Sequence, residues 1–239
     1  MTESGESRPA LLFEEPPSVY LGVQGSDAAF PVHRIYCVGR NYREHAREMG
    51  ESTREPPFFF SKPRDAVCTE NIIPWPAMTD DLHHEVELVV AMGSGGVNLS
   101  PETALSAVFG YAVGVDLTRR DLQAEAKEQG RPWTTAKAFD HSAPVSSINP
   151  AAKIGHPDAS AIRLSVNGQQ RQQGATSDMT WSVAEIIAEL SRYFELKPGD
   201  LVFTGTPSGV AALQPGDRVK AAVDTVGELN FEMGAAPAD

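Results

Sequence analysis

Short apolar stretches separated by turn residues dominate this chain, and few of them have the length or period of a helix. Ile35-Tyr36-Cys37-Val38 reads as a short strand that runs into Gly39-Arg40-Asn41-Tyr42. The polar stretch from Tyr42 to Met49 predicts a short helix closed by Gly50. Phe58-Phe59-Phe60 reads as a buried strand leading into Ser61-Lys62-Pro63. Leu164-Ser165-Val166 and Gln169-Gln170-Arg171 flank Asn167-Gly168, a pair that accepts the positive φ angles of a type I′ hairpin turn. The clearest helix runs from Ser182 to Leu196. Ser182 and Glu185 form a capping box there, and Ile186, Ile187, Leu190, Tyr193 and Phe194 make the apolar stripe. Two Pro-Gly-Asp turns, ending at Asp200 and Asp217, precede strands at Leu201–Phe203 and around Val219–Val223. Strands outnumber helices, so the expected class is a β-rich α+β fold. The Glu-, Pro-, Ser- and Gly-rich start reads as a weakly ordered lead-in over residues 1–30, followed by one folded domain over 31–239.

Composition narrows the partners. A chain of 239 residues, 41% hydrophobic, buries a substantial core in one domain. Its formal net charge of −12 argues against nucleic acid and against an anionic membrane surface, both of which attract basic footprints. No apolar run reaches the length of a membrane span, and the polar N-terminus lacks the pattern of a signal peptide, so the expected compartment is the cytoplasm. Cys37 and Cys68 lack metal-ligand spacing and are expected to be reduced, packed thiols. Such an acidic protein handles an anionic substrate only with local positive charge, from a metal or from a few placed Lys and Arg.

The chemistry concentrates in Leu82-His83-His84-Glu85-Val86-Glu87-Leu88-Val89-Val90. On a strand, Glu85 and Glu87 project to one face, while Val86, Leu88 and Val90 project to the other. Two carboxylates on an apolar strand are costly unless neutralised, and a hard divalent cation would neutralise them. The plainer reading is an edge strand with a solvated acidic face. Gly110-Tyr111-Ala112-Val113-Gly114-Val115 is a second apolar strand, and it ends at Asp116, a position suited to a third ligand. Three carboxylates describe a Mg²⁺ or Mn²⁺ site rather than zinc, and the spacing of His83 and His84 does not make H-E-x-x-H. Gly93-Ser94-Gly95-Gly96 has Asn98 where a dinucleotide loop needs its third glycine, so it reads as a turn.

The blocks GRNYREH-ARE, PPFFFSKPRDAV, DLHHEVELVVAMG, GYAVGVDLTRRD, GRPWTTAKAFD and LVFTGTPSGV resemble, in order, the signatures of the fumarylacetoacetate hydrolase superfamily. They span roughly Ile35 to Val223. The wording is most similar to the short branch of acylpyruvases, oxaloacetate decarboxylases and fumarylpyruvate hydrolases. The resemblance implies layered, rolled sheets, a homodimer, and Mg²⁺ or Mn²⁺ on Glu85, Glu87 and Asp116. It implies a general-base pair, His45 and Glu48, on an N-terminal lid, although an H-x-x-E on a polar helix is by itself more often a solvated pair. It also implies a catalytic Lys137 beside the metal-bound substrate, and a pocket lined by Arg40, Arg120, Gln123 and Thr206. Ala211 and Arg64 depart from the usual pattern, at positions that could alter substrate preference.

The expected reaction is metal-dependent hydrolysis of the carbon–carbon bond of a small 2-keto acid, an acylpyruvate, with fumarylpyruvate the favoured substrate. Oxaloacetate decarboxylation or general acylpyruvate hydrolysis is the runner-up, since both pass through a pyruvate enolate. A 2-hydroxymuconate-type isomerase and a catalytically silent metal-binding scaffold rank below these.

Overall fold

The computed structural model describes residues 11–42 and 55–236. All of the expected helix after Tyr42, with His45 and Glu48, lies outside the described residues. The chain is strand-rich, with few helices, in line with the expected α+β class. Its centre is a mixed six-stranded sheet that contains β1 (Ile35–Gly39), β2 (Phe58–Lys62), β3 (Val86–Met92), β4 (Val108–Val115) and β5 (Leu201–Phe203). The spatial order is Asn149–Pro150, β4, β3, β5, β1, β2. β5 runs parallel to β1 and antiparallel to β3.

Alternation along these strands builds two cores. Val86, Leu88 and Val90 of β3, with Tyr111, Val113 and Val115 of β4, face one side. A five-stranded sheet covers that side, in the order Gln169–Ala175, Ala161–Val166, Arg218–Val223, Gly227–Met233, Ile72–Ile73. It contributes Ile162, Leu164, Val219, Ala221 and Phe231 to the same cluster. Val89, Ala91, Ala112, Leu201 and Phe203 face the other side, with Ile35 and Cys37. β3 is therefore buried on both faces, which removes the edge-strand reading of Glu85 and Glu87.

Two ordered strands lie largely within residues 1–30, the span expected to be a weakly ordered lead-in. Tyr20–Val23 pairs with Ser26–Pro31, and Leu21 and Phe30 are buried in the second core. Burying such side chains contributes roughly 1.5–3 kcal/mol each. Two apolar residues among Ser, Gly and Asp escape a composition argument but suffice to dock a hairpin.

The Asn167-Gly168 hairpin forms as expected, with both residues at positive φ. The capped helix spans Val183–Tyr193, shorter than Ser182 to Leu196. Ser182 accepts from the Glu185 amide, and the Glu185 carboxylate accepts from the Ser182 amide at 2.9 Å. Ile186, Ile187 and Leu190 are buried, but Tyr193 is 64% exposed and Phe194 already has extended backbone. β2 is an edge strand rather than a buried one, and Phe58 and Phe60 are freed to line a pocket. Cys37 and Cys68 are free, buried thiols. Among the described residues no helix is long and apolar enough to cross a membrane.

Candidate active site

Strand register assembles the acidic centre. β3 and β4 pair with Val86 opposite Val115 and Glu87 opposite Gly114. One step further, the Asp116 amide donates to the Glu85 carbonyl at 2.8 Å. Opposed residues share a face, so Glu85, Glu87 and Asp116 converge. All three are buried, and they offer oxygens that lie within 4.8 Å of one another. Gly114 makes the approach possible, since a Cβ there would stand 2.5 Å from the Val89 side chain and 2.7 Å from Phe203.

Cations surround the carboxylates. Lys137, on the short helix Thr134–Lys137, donates to Asp116 Oδ2 at 2.6 Å, Glu85 Oε2 at 2.9 Å and Thr118 Oγ1 at 2.6 Å. Lys62, at the end of β2, pairs with Asp116 Oδ1 at 2.7 Å and also contacts the Lys137 carbonyl. Arg120 opens helix α1 (Arg120–Glu128) and pairs with Glu85 Oε1. Its guanidinium also donates to Gln123 Oε1 at 2.5 Å. Burial alone would lower the Lys137 ammonium, but Asp116 and Glu85 more than offset this and hold it up at about 12. Burial also raises Glu85, yet Lys137 and then Arg120 reverse the sign and leave it below the ordinary carboxylate value. Among the described residues Glu87 has no such cationic side-chain partner. Burial, then the charges of Asp116 and Glu85, push its carboxyl well up, opposed by the Gly205 amide.

That amide comes from the loop after β5. The Gly205 N–H donates to Glu87 Oε2 at 2.6 Å, with φ at +97°. A Cβ at this position would stand 2.7 Å from the Asn41 side chain. Asn41 binds the Thr204 carbonyl at 2.8 Å and the Trp181 carbonyl at 2.9 Å, which anchors the loop. Thr206 accepts from Gln172 Nε2 at 2.8 Å. Gln172 Oε1 accepts from His84 Nδ1 at 2.8 Å and from the Val86 amide at 3.1 Å, so one buried side chain ties the acidic strand to the Thr206 loop.

One pocket is lined by Glu85, Glu87, Asp116, Lys137, Arg120, Gln123, Arg40 and Thr206, the eight sequence-derived site residues that lie among the described ones. Four features of this region were not reached from the sequence: Lys62, Gln172, the Gly205 amide and the aromatic wall of Phe58, Phe60 and Trp133. The Trp133 ring meets Phe58 edge-on at 5.3 Å and Phe60 at 5.9 Å. A lysine at the end of an aromatic strand was the one available signal for Lys62, because a buried ammonium requires a partner.

Cys68, Glu70 and His141 form a second group of ligand types. The Cys68 thiol donates to Glu70 at 2.8 Å, and burial pushes it up to about 12, so it is a neutral hydrogen-bonded thiol.

The donor set is all oxygen, buried and underneutralised at Glu87, which fits a hard divalent cation. Residues 34–233 match the fumarylacetoacetate hydrolase C-terminal family model. The solved fumarylpyruvate hydrolase from Pseudomonas aeruginosa, in complex with Mn²⁺ and pyruvate, is 51% identical with a TM-score of 0.91, over 95% of this chain and 100% of that one. The oxaloacetate tautomerase YcgM of Escherichia coli is 44% identical over 84% of this chain and 93% of its own length. The mitochondrial oxaloacetate tautomerase FAHD1 of Rattus norvegicus is 43% identical over 83% of this chain and 90% of its own.

Proposed function

The chain belongs to the fumarylacetoacetate hydrolase family, and from that premise we propose that it hydrolyses fumarylpyruvate to fumarate and pyruvate. The observation that carries this reading is the convergence of three buried carboxylates in a pocket also lined by Arg40, Arg120, Lys127 and Lys137. Support for the substrate comes from the relative named for that reaction. In this reading Glu85, Glu87 and Asp116 hold Mg²⁺ or Mn²⁺. When bound, the ion supplies Lewis-acid polarisation of an oxo group and a counter-charge for developing negative charge.

The chain's own groups do the rest. Lys137 is held as an ammonium, so its role is donor and fixed positive charge rather than base. Arg120 and Gln123, joined side chain to side chain, orient the pyruvyl carboxylate, with Arg40 and Thr206 bounding the acyl side. His45, assisted by Glu48, takes a proton from water as its oxygen attacks the distal carbonyl. The carbon–carbon bond then breaks, the acyl part leaves as a carboxylate, and the pyruvate enolate takes up a proton. Homodimeric assembly belongs to the same proposal, on the resemblance alone.

The second reading keeps the enolate and drops the water. The expected runner-up on oxaloacetate was decarboxylation, whereas the relatives that share this substrate are named tautomerases. Proton transfer between C3 and the 2-oxo group needs a group that accepts and returns the proton together with enolate stabilisation, but no attacking water. Comparing kcat/KM for fumarylpyruvate, acetylpyruvate and oxaloacetate, with Mn²⁺ and with chelator, tests both readings. A tenfold preference for oxaloacetate, about 1.4 kcal/mol of transition-state binding, would promote the second.

A further inference from the structure

Helix α1 presents three polar side chains to the pocket, spaced i, i+3 and i+7: Arg120, Gln123 and Lys127. That spacing is one stripe of a helix, so the three stand in a row. The first two are bonded to each other, and Arg120 is also paired with Glu85. Lys127 differs. Among the described residues its side chain makes no hydrogen bond and no ion pair, and its ammonium rests 5.2 Å from the centroid of the Trp133 ring. Lys62 and Lys137, by contrast, are committed to Asp116.

Position adds meaning to this uncommitted charge. Lys127 lies one turn beyond Gln123 along α1, away from the acidic centre and beside the aromatic wall of Phe58 and Trp133. Its ammonium is disfavoured by burial and by the nearby Arg120 and Arg40, with Glu85 acting the other way. Lys127 thus turns an unpaired positive charge into the pocket, beside Arg120 and Arg40 and opposed only by the more distant Glu85, which suits it to an anionic group of a ligand. The flat aromatic faces next to it suit an unsaturated, planar acyl chain.

We propose that Lys127 is the specificity residue for a second carboxylate, at the far end of the substrate's acyl chain. It selects 2-oxo diacids over 2-oxo monoacids. The inference rests on the 2-keto-acid reading of the pocket. Within that reading it narrows the substrate class to dicarboxylates, of which fumarylpyruvate is one. Lys127 touches the non-reacting end of the substrate, so its loss changes binding rather than chemistry.

The test uses two ligands of equal length that differ only at the far end, 2-oxoadipate and 2-oxohexanoate, titrated calorimetrically into the full-length Mn²⁺-loaded protein. The unmodified protein is expected to favour the diacid by about five- to thirty-fold, the range of one partly desolvated charge pair. Lys127→Met should bring that ratio close to unity while 2-oxohexanoate affinity stays within about threefold. Lys127→Arg should keep most of the preference, and unchanged melting temperatures certify folding. A diacid preference that survives in Lys127→Met, or equal weakening of both ligands, overturns the proposal, as does no preference in the unmodified protein. In turnover, Lys127→Met should raise KM for fumarylpyruvate with little change in kcat, and by more than it raises KM for acetylpyruvate. If the protein cleaves neither acylpyruvate, the hydrolase reading fails, and the ligand ratio still decides the role of Lys127.

Discussion

Asp116 and Glu85 are joined through their backbones before their side chains meet: the Asp116 amide donates to the Glu85 carbonyl at 2.8 Å. The bond continues the β3–β4 ladder one residue past Val86 and Val115. It brings two carboxylates together on one face, and Lys137 bridges them. Glu87, two residues along, is the member without a cationic side-chain partner among the described residues.

Glu87 therefore gains most from a bound cation. Glu87→Ala is expected to weaken Mg²⁺ or Mn²⁺ binding by about tenfold or more. It should also shrink the thermal stabilisation by the ion, because a ligand that binds only the folded state raises stability in proportion to its affinity. Calorimetric affinity equal to that of the parent would remove Glu87 from the ligand set.

The same residue sets a pH dependence. A carboxyl raised in the folded state contributes stability below its unfolded value, about 4.3, and loses it as pH rises through the folded one. Glu85, held low, runs the other way: its contribution is present above the unfolded value and lost as pH falls. A metal ion competes with the proton for the Glu87 carboxyl, and burial raises the carboxyl's affinity for that proton. The increase in melting temperature on adding Mn²⁺ should thus be larger at about pH 8 than at about pH 5.5, and Glu87→Gln should flatten the difference. Equal increments in the parent at both pH values would contradict the assignment.

Gln172 holds the acidic strand to the Thr206 loop through four bonds, to His84, the Val86 amide, Thr206 and the Pro207 carbonyl. Gln172→Leu keeps the size and strands these partners. Each buried group left unpaired costs about 1–3 kcal/mol, so a loss on the order of 3 kcal/mol is expected in urea unfolding. A loss below about 1 kcal/mol would show that the neighbours re-pair.

Hydrolysis and enolate chemistry separate at His45. His45→Ala should lower acylpyruvate cleavage by about 10²–10⁴, the usual effect of losing a general base. Turnover of oxaloacetate should retain a larger fraction, because it needs no activated water. Equal losses on both substrates, measured as kcat/KM, would assign His45 a role common to both reactions.

Local chemistry made much of this molecule legible without coordinates. The Asn167-Gly168 turn, the Ser182–Glu185 cap and the two-residue period of Glu85 and Glu87 depend on neighbours a few residues apart, and all three stand in the structure. The ordered signature blocks pointed to the family because their residues keep sequence order as well as type. What the tertiary structure alone decided is which distant residues complete the site. Lys62 lies 54 positions before Asp116, and Gln172 lies 88 after His84; neither carries a periodic or capping signal. Their roles follow from packing across the sheets: β2 stands three strands from β3, yet Lys62 at its end reaches Asp116, and Gln172 comes from the second sheet to His84 and the Val86 amide. The same holds for Tyr20–Val23, whose strand exists because Leu21 finds a buried partner surface far along the chain. Periodicity says which way a side chain points, and only packing says what it meets.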